Sequence, residues 1–411
     1  MKPSPLIGIL AAAFASALGA SAAPIAPGPN SQEEIQEALI MVDKGGTVEL
    51  AAGTFEFAGS LSLDVDGVTL SGAGMDKTIL SFKNQTAGSE GLIVTSDGVT
   101  LNGFAVEDSK GDAIKAKGCD GIRFLDVRAE WTGGPKETNG AYGFYPVEST
   151  NVLIDGCAAI GASDAGIYVG QSRNVVVRNS TAKFNVAGIE IENCYDADVF
   201  KNTATHNTGG ILVFDLPGLP QQGGHNVRVF DNQVVDNNTL NFAPEGNIVG
   251  NVPTGTGIMI MANYNVEIFN NTIGGNATAN VMIIAYSGGK DETKDPKYYP
   301  YPEGIHVHNN TIGTGGDKPE GVYGTMMAQV AGSPLPDIVW DGRVNPAKAK
   351  DGKLPEGRGI YIHDNGDADF ANLDMDAFTK DPASAKVLRD LKAHEGKMPA
   401  IKPVTLPGKD T

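Results

Sequence analysis

The sequence predicts a single-stranded right-handed parallel β-helix, an all-β solenoid, with a helical cap at its N-terminal end. Three observations predict this fold: a short internal repeat, two alternating apolar runs within each repeat, and a composition rich in glycine. Of the 411 residues, 53 are Gly and only 7% are aromatic. This composition favours many turns and small repeats over one bulky core.

One position of the repeat can be followed through eight segments, two of which read "NVVVRNSTAKFNVAGIEI" and "NVEIFNNTIGGNATANVMI". Successive members of this column are 23, 30, 23, 22, 30, 39 and 39 residues apart. A basic period of 22 to 23 residues is too short for helical repeats and fits one coil of a parallel β-helix, with loops inserted in the longer coils. The column consists of Phe104, Val127, Cys157, Ser180, Asn202, Asn232, Asn271 and Asn310.

Alternation along each strand indicates which side chains face the core. In "NVVVRN", Val175 and Val177 are expected to point inward and Val176 outward, because successive side chains of a strand point to opposite faces. An inward Asn at a turn can hydrogen-bond the backbone of the coils above and below it. The Asn members of the column therefore predict a ladder of stacked amides.

The two ends of the chain differ from the repeat. Residues 1–22 carry one Lys, an apolar run and a small-residue cleavage site near Ala22, which is typical of a secretory signal peptide. We expect a periplasmic or secreted protein without a membrane span. In "SQEEIQEALIMV", a capping box from Ser31 to Glu34 and apolar Ile35 and Leu39 predict a cap helix.

These observations give one folded domain with four parts. Residues 1–22 are the signal peptide, 23–45 a linker and cap helix, 46–370 the β-helix with loop insertions, and 371–411 a helical C-terminal tail. The tail segment "DPASAKVLRDLKAHEG" is weakly amphipathic and is expected to cover the last coil. A long excursion between two coils is expected at 314–357.

Charge and cysteine content exclude several functions. The chain has 49 acidic and 31 basic residues and a net charge of -18, which repels nucleic acid. Cys119 and Cys194 are expected three coils apart, about 14 Å, which is too far for a disulfide. With Cys157, they are predicted to be buried free thiols. No Cys-x-x-Cys-His motif for covalent haem occurs, and we expect no cofactor.

Inserted loops at two corners of the coil flank one sheet, and its outward side chains are the candidate site. Two lysines can neutralise a uronate carboxylate, and a Tyr above them can move a proton at a sugar carbon, as lyase and epimerase chemistry requires. The alternative is ordinary pairing of surface charges across coils. The candidates are Lys115, Lys117 and Tyr145 for catalysis, and Tyr142, Tyr168, Glu190 and Glu192 for substrate binding.

The predicted register places these residues in two outward columns. One is Lys115, Tyr145, Tyr168, Glu190, Leu212 and Met259, and the other is Lys117, Val147, Gly170, Glu192, Phe214 and Met261. The face thus changes along the axis from Lys through Tyr to Glu and then to apolar residues.

One stretch of this face, "NGAYGFYPVESTNVLIDG", resembles the segment around the catalytic acid and histidine of alginate C5-epimerases. There, Tyr-Gly-Phe is followed by Asp-Pro-His. Tyr145 and Val147 stand where that motif has the Asp and the His. The resemblance implies an acidic polysaccharide as ligand and, if the protein is an enzyme, a lyase or C5-epimerase. The Asn-Thr-Asp and Asp-Asp motifs of polygalacturonase-type hydrolases are absent.

A broader resemblance covers nearly the whole chain. "GGTVELAAGTF" resembles the first coils of pectin-lyase-like proteins. "GASDAGIYVGQSRNVVVRNSTAKFNVAGIEIENC" and "GGILVFDLPGLP" resemble a family of uncharacterised bacterial β-helix proteins. Because members of that family are often encoded beside a c-type cytochrome-like protein, the resemblance implies a second hypothesis, a non-catalytic periplasmic scaffold that docks such a partner.

A second outward column carries aromatic and histidine side chains: Asp155, Arg178, Phe200, Phe230, Phe269, His308 and His363. Three consecutive Phe rings can stack on sugars, dock a partner or lie under a covering segment. His308 and His363 are expected one coil apart, with His306 nearby. Since no carboxylate or Cys at ligand spacing completes a site, we expect no metal there.

Overall fold

The computed structural model describes residues 23–286, 295–350 and 354–408, so the predicted signal peptide lies outside the described residues. The chain winds into a solenoid with three parallel sheets along its length. We name them sheets A, B and C, in the order in which each coil passes through them. The predicted right-handed parallel β-helix is confirmed.

The strands of each sheet come from successive coils. Within the described residues, sheet A contains eleven strands: Thr47–Glu49, Thr69–Ser71, Thr100–Asn102, Arg123–Leu125, Thr150–Asp155, Arg173–Arg178, Tyr195–Phe200, His225–Phe230, Tyr264–Phe269, Glu303–His308 and Ile360–His363. Sheet B contains ten: Gly53–Glu56, Thr78–Ser81, Ala105–Glu107, Arg128–Glu130, Ala158–Ile160, Thr181–Lys183, Thr203–Thr205, Gln233–Val235, Thr272–Gly274 and Thr311–Ile312. Sheet C contains eleven: Leu61–Leu63, Leu92–Val94, Ile114–Lys117, Tyr142–Val147, Ala165–Gly170, Ala187–Glu192, Gly209–Phe214, Thr256–Met261, Ala279–Ile284, Ile338–Trp340 and Phe370–Asn372.

Strand alternation places the core between the three sheets. Val175 pairs in register with Val152 and Ala197 on the neighbouring coils, and all three are fully buried. Val177 is buried in the same way, which confirms the predicted inward positions. Outward Val176 is buried too, because Leu406 of the C-terminal segment packs on it.

The predicted asparagine ladder is confirmed. The backbone N–H groups of Asn202, Asn232 and Asn271 each donate at 3.0 Å to the side-chain oxygen of the next ladder member. Asn310 continues the pattern to Asn365 at 3.1 Å, one coil beyond the predicted end. The ladder satisfies backbone groups at turns that are buried inside the solenoid.

A second asparagine ladder, which the sequence analysis did not predict, lies at the turn after sheet B. The N–H of Asn185 donates to the side chain of Asn207, and the series continues to Asn237 and Asn276 at 3.0 to 3.2 Å. Each of the last three follows a member of the first ladder by five residues. This constant spacing of five residues could have predicted the second ladder from the sequence.

The N-terminal cap helix, Ser31–Met41, is present and buries Ile35 and Leu39. The predicted capping box is wrong. Ser31 lies inside the helix and its hydroxyl donates to the carbonyl of Gly28, while Asn30 is the N-cap and makes no side-chain cap bond. The helix begins one position earlier than the box requires.

The C-terminal region differs from a helical tail. After the last strand of sheet C, it forms a six-residue helix, Met375–Lys380, and two 3-10 turns, Pro382–Ser384 and Leu391–His394. The following residues have no helical hydrogen bonding and lead to Leu406, which packs on sheet A. Repeated prolines in "KMPAIKPVTLP" explain why no longer helix forms there.

Two loop insertions carry further helices. The excursion at 314–357 holds the helix Gly321–Ala331 and then a strand of sheet C, Ile338–Trp340, so part of it belongs to a regular coil. A 3-10 helix, Ile248–Asn251, lies in the other insertion and contacts Gly321–Ala331. In the part of the chain that the structure describes, no helix is long and apolar enough to cross a bilayer.

Candidate functional site

The candidate site lies on the outer surface of sheet C, and its predicted register is confirmed. Tyr145 pairs with Lys115, and Tyr168 pairs with Glu190 on the next coil. This surface is less open than an outward column implies, because loops cover it. Tyr168 is 4% exposed, Glu190 2% and Glu192 8%.

Three tyrosines form one aromatic group, here named the tyrosine cluster: Tyr142, Tyr145 and Tyr168. Their ring centroids lie 4.4, 4.6 and 5.1 Å apart. Lys115 Nζ lies 4.9 Å from the centre of the Tyr145 ring. Burial nevertheless raises the pKa of Tyr145 to about 12, and nearby Asp112 adds to the effect. Tyr145 is therefore expected to be protonated at neutral pH, in the form that can donate a proton.

The two candidate lysines already face carboxylates. Lys115 Nζ lies 3.6 Å from Glu90 and 3.8 Å from Asp112. Lys117, which is more exposed, lies 3.4 Å from Glu148. Lys115 stays near the tyrosine cluster, but a uronate would have to compete with these partners for either lysine.

Three buried carboxyl groups lie beside the tyrosines, and we name Asp164, Glu190 and Glu192 the carboxyl cluster. The Tyr168 hydroxyl donates to Glu192 Oε1 at 2.6 Å. Asn247, from the loop that covers the site, donates to Asp164 Oδ2 at 3.1 Å. Among the described residues, Glu190 Oε2 has no hydrogen-bond partner. None of the ion pairs in the described ranges includes these three carboxyls.

Burial raises the pKa of each member of the carboxyl cluster. The pKa of Asp164 rises to about 7, through burial first and then the charge of Glu192. Burial also raises the pKa of Glu192 to about 7, against the hydrogen bond from Tyr168. Burial raises the pKa of Glu190, and the charges of Asp164 and Glu192 raise it further. Some of these groups are therefore protonated at neutral pH and can donate a proton.

Asp164 was missed by the sequence analysis. It stands directly before the strand Ala165–Gly170, at the corner rather than in an outward column. Asp112 occupies a similar place before Ile114–Lys117, and burial raises its pKa to about 6. The position of an Asp just before a strand of sheet C could have identified both Asp112 and Asp164 from the sequence.

Further along sheet C, the face becomes an apolar cavity of about 450 Å³. It is lined by Phe214, Met259, Met261 and Met282 of the sheet and by Met327 of the helix Gly321–Ala331. The predicted change from acidic to apolar side chains along the axis is thus confirmed.

Sheet A carries the second predicted column. Phe200, Phe230 and Phe269 stack with centroids 4.8 and 4.9 Å apart, and His308 continues the stack at 5.4 Å. The C-terminal segment packs near Phe200 through Leu406, although it is not a helix.

The sequence analysis expected no carboxylate near these histidines. In the structure, the carboxylate of Glu267 lies beside His306 and His308. Glu267 Oε1 lies 3.0 Å from His308 Nε2 and 4.0 Å from His306 Nδ1. Glu267 comes from the preceding coil, so sequence spacing did not associate it with the histidines. In contrast, Glu190 and Glu192 do not form part of any metal-ligating cluster in the described chain.

The three cysteines, Cys119, Cys157 and Cys194, are buried free thiols, as predicted. Burial raises the pKa of Cys157 to about 12, which keeps it an unreactive thiol. They take no part in the site.

The parallel sheets and the asparagine ladders show that this chain has the fold of right-handed parallel β-helix proteins. The predicted resemblance to proteins of that fold is confirmed. A family model described as "Right handed beta helix region" matches residues 66–218, less than half of the chain. No curated protein matches.

Several solved structures are similar to this chain. The A-module of mannuronan C-5 epimerase AlgE6 from Azotobacter vinelandii is 18% identical, with 69% of this chain and 81% of that chain covered and a TM-score of 0.45. Endopolygalacturonase I from Stereum purpureum is 18% identical, with 69% and 86% covered and a TM-score of 0.49. An alginate lyase in complex with a trisaccharide is 12% identical, with 71% and 70% covered and a TM-score of 0.43.

Proposed function

We propose that this protein binds a polysaccharide along the outer surface of sheet C and that its carboxyl cluster exchanges protons with the bound sugar. One observation carries the proposal: three packed tyrosine rings lie directly beside three buried carboxyl groups, and the Tyr168–Glu192 hydrogen bond joins the two clusters. Aromatic rings can bind a sugar, and neighbouring carboxyl groups can exchange protons with it, so the two features together suit a site that acts on a glycan.

The tyrosine cluster supplies the binding surface. Tyr142 and Tyr145 remain half-buried, whereas Tyr168 is almost fully covered. A sugar ring has an apolar face that packs on an aromatic ring, while the phenol hydroxyl reaches a polar partner. The glycan is therefore placed over Tyr142 and Tyr145, with Lys115 beside them.

The carboxyl cluster supplies proton exchange. A carboxyl with a pKa near the working pH is an efficient general acid or base, and Asp164 and Glu192 both meet this condition. Tyr145 is protonated and acts as a donor rather than a base. In lyase or C5-epimerase chemistry, a cluster carboxylate would take the sugar proton and a tyrosine would donate one.

The charges around the site set where an acidic sugar unit fits. A uronate beside Glu190 or Glu192 meets negative charge whenever those groups are ionised. Lys115 and Lys117 provide the compensating charge at the other end of the face. We therefore place the carboxylate of an acidic polysaccharide over the lysines. Export, as the first 22 residues predict, would bring the protein to such polymers.

The test measures binding and reaction together. The chain from residue 23 is incubated with alginate, polygalacturonate and a neutral glucan, and the ultraviolet absorbance of unsaturated products is followed beside binding. Lys115→Ala with Lys117→Ala should weaken binding of the uronate polymers, while Lys77→Ala with Lys83→Ala, two exposed lysines flanking a strand of sheet B, should not. If no polymer binds, the proposal fails and a scaffold that docks a protein partner is favoured.

A further inference from the structure

Four side chains on the outer surface of sheet A come together from three consecutive coils. Glu267 and His306 occupy one outward column on adjacent coils. His308 and His363 occupy the next column, again on adjacent coils. Since coils of a parallel sheet are about 4.8 Å apart, such neighbours are close enough to share one ion.

The potential ligand atoms of three of these residues converge. His308 Nε2 lies 3.0 Å and His306 Nδ1 4.0 Å from the same oxygen, Glu267 Oε1. The three atoms lie within 4.8 Å of one another. The His306 and Glu267 side chains are 7% and 17% exposed, so the group is shielded while one side stays open to solvent.

Hydrogen bonds at the far side of the rings determine which nitrogens carry lone pairs. His308 Nδ1 lies 2.7 Å from Asn309 Oδ1, an acceptor, so this nitrogen is the donor. Its Nε2 then points a lone pair at the Glu267 carboxylate 3.0 Å away. Two acceptors at that distance repel each other unless a proton or a metal ion lies between them.

The same reasoning applies to His306. His363 Nδ1 donates to Asp364 Oδ2 at 2.8 Å, which leaves a lone pair on His363 Nε2. His306 Nε2 lies 2.7 Å from that nitrogen and must be its donor. His306 Nδ1 therefore holds a lone pair on the side of Glu267.

We propose that Glu267, His306 and His308 bind a divalent first-row transition ion, with His363 and Asp364 supporting His306 from behind. Imidazole nitrogen and carboxylate oxygen are ligands that Zn²⁺ and its neighbours in the series accept. The His306–His363–Asp364 chain resembles the carboxylate–histidine support found behind metal-bound imidazoles. A single proton on His308 satisfies one facing pair of acceptors, whereas a metal ion satisfies both His308 and His306.

The site is independent of the proposed glycan site, because it lies on sheet A rather than sheet C. It replaces the expectation that no metal binds near His306, His308 and His363. That expectation was based on spacing along the chain. Glu267 lies far from the histidines in sequence and pairs with His306 from the preceding coil.

The test is a calorimetric titration of Zn²⁺ into chelator-treated, tag-free protein. We expect one ion per chain, with affinity falling at least about 100-fold in Glu267→Gln and in His308→Gln. His363→Gln should weaken binding roughly 10- to 100-fold without abolishing it, as a supporting residue would. His206→Gln, a change at an exposed histidine on another coil, should leave the titration unaltered.

Absence of Zn²⁺ binding to the native chain would overturn the proposal, as would unchanged affinity in folded Glu267→Gln and His308→Gln. Circular dichroism shows whether each variant is folded. If a variant is not, the visible spectrum of the native chain with Co²⁺ decides. Intense bands of a site with fewer than six ligands support the proposal, and the weak spectrum of hydrated Co²⁺ contradicts it.

Discussion

The Tyr168 hydroxyl donates a 2.6 Å hydrogen bond to Glu192 Oε1, and both side chains are almost fully buried on the outside of sheet C. The bond links adjacent coils and orients a carboxyl whose pKa is raised to about 7 by burial. This pair connects the aromatic part of the proposed glycan site to its acidic part. We therefore expect ionisation of Glu192 to change the stability of the fold.

We expect the carboxyl cluster to lower the free energy of unfolding as pH rises. Asp164 and Glu192 have folded-state pKa values of about 7, against ordinary values of 3.8 and 4.5. Between those limits the native state holds more protons than the unfolded chain, so the free energy of unfolding decreases as pH rises. Each group should lose about 2 to 3 kcal/mol between pH 5 and pH 8, so we expect a total loss on the order of 5 kcal/mol. Urea unfolding at the two pH values measures it.

Glu192→Gln removes one of these titrating groups. The variant should lose less stability between pH 5 and pH 8 than the native chain, because its amide stays neutral. Glu137→Gln, at an exposed carboxyl in a loop, should behave as the native chain does. An equal pH dependence in all three proteins would show that Glu192 does not titrate differently in the folded and unfolded chains.

Tyr168→Phe isolates the hydrogen bond to Glu192. Loss of a donor to a buried carboxyl should lower the free energy of unfolding by about 1 to 3 kcal/mol. The effect should be larger at pH 8 than at pH 5, because the bond is stronger to the ionised group. Tyr323→Phe, at an exposed ring, is the control. Equal urea midpoints for Tyr168→Phe and the native protein would contradict this role.

The repeat was readable from the sequence because inward positions and ladder amides follow the chain at a near-constant period. Asn271 and Val175 fall where that period puts them. The site was only partly readable. Asp164 and Glu267 gain their roles from neighbours on other coils, and the loop that brings Asn247 to Asp164 has no repeat to reveal its path. Burial of Glu190 follows from the same loops.

Asn271→Ala tests the first ladder. Its side chain accepts two bonds from Asn232 and donates to Val229 and Asn310, so its loss leaves buried backbone groups unsatisfied. We expect a loss of roughly 1 to 3 kcal/mol in urea unfolding. Asn84→Ala, at an exposed turn, should change the midpoint little.

Asn237→Ala should cost a similar amount, because the second ladder has the same bonding pattern: its side-chain oxygen accepts two bonds from Asn207, and its amide donates to Ala204 and Asn276. If Asn237→Ala matches the Asn84→Ala control instead, the second ladder does not support the coils.

The end of the C-terminal segment is held on sheet A by an apolar contact and by hydrogen bonds, one of which Arg123 donates to the carbonyl of Pro407 at 2.7 Å. Leu406 packs on Leu153 and Val176, and the Val404 N–H donates to Asp198 at 3.0 Å. Leu406→Asp should release the segment, so that trypsin cleaves after Lys397, which is followed by Met398, much faster than in the native chain while the β-helix stays folded. Thr405→Ala, at an exposed neighbour, should keep the native cleavage rate.

The most direct test of the proposed glycan site is the affinity of a size-defined uronate oligosaccharide for the native chain and for Tyr145→Ala, measured by calorimetry near pH 6. We predict measurable binding to the native chain and a roughly 10-fold or larger loss in the variant, since the stacking ring is removed. Tyr323→Ala should bind as the native chain does. Equal affinity for the native chain and Tyr145→Ala, with both folded, would contradict a glycan site on the tyrosine cluster.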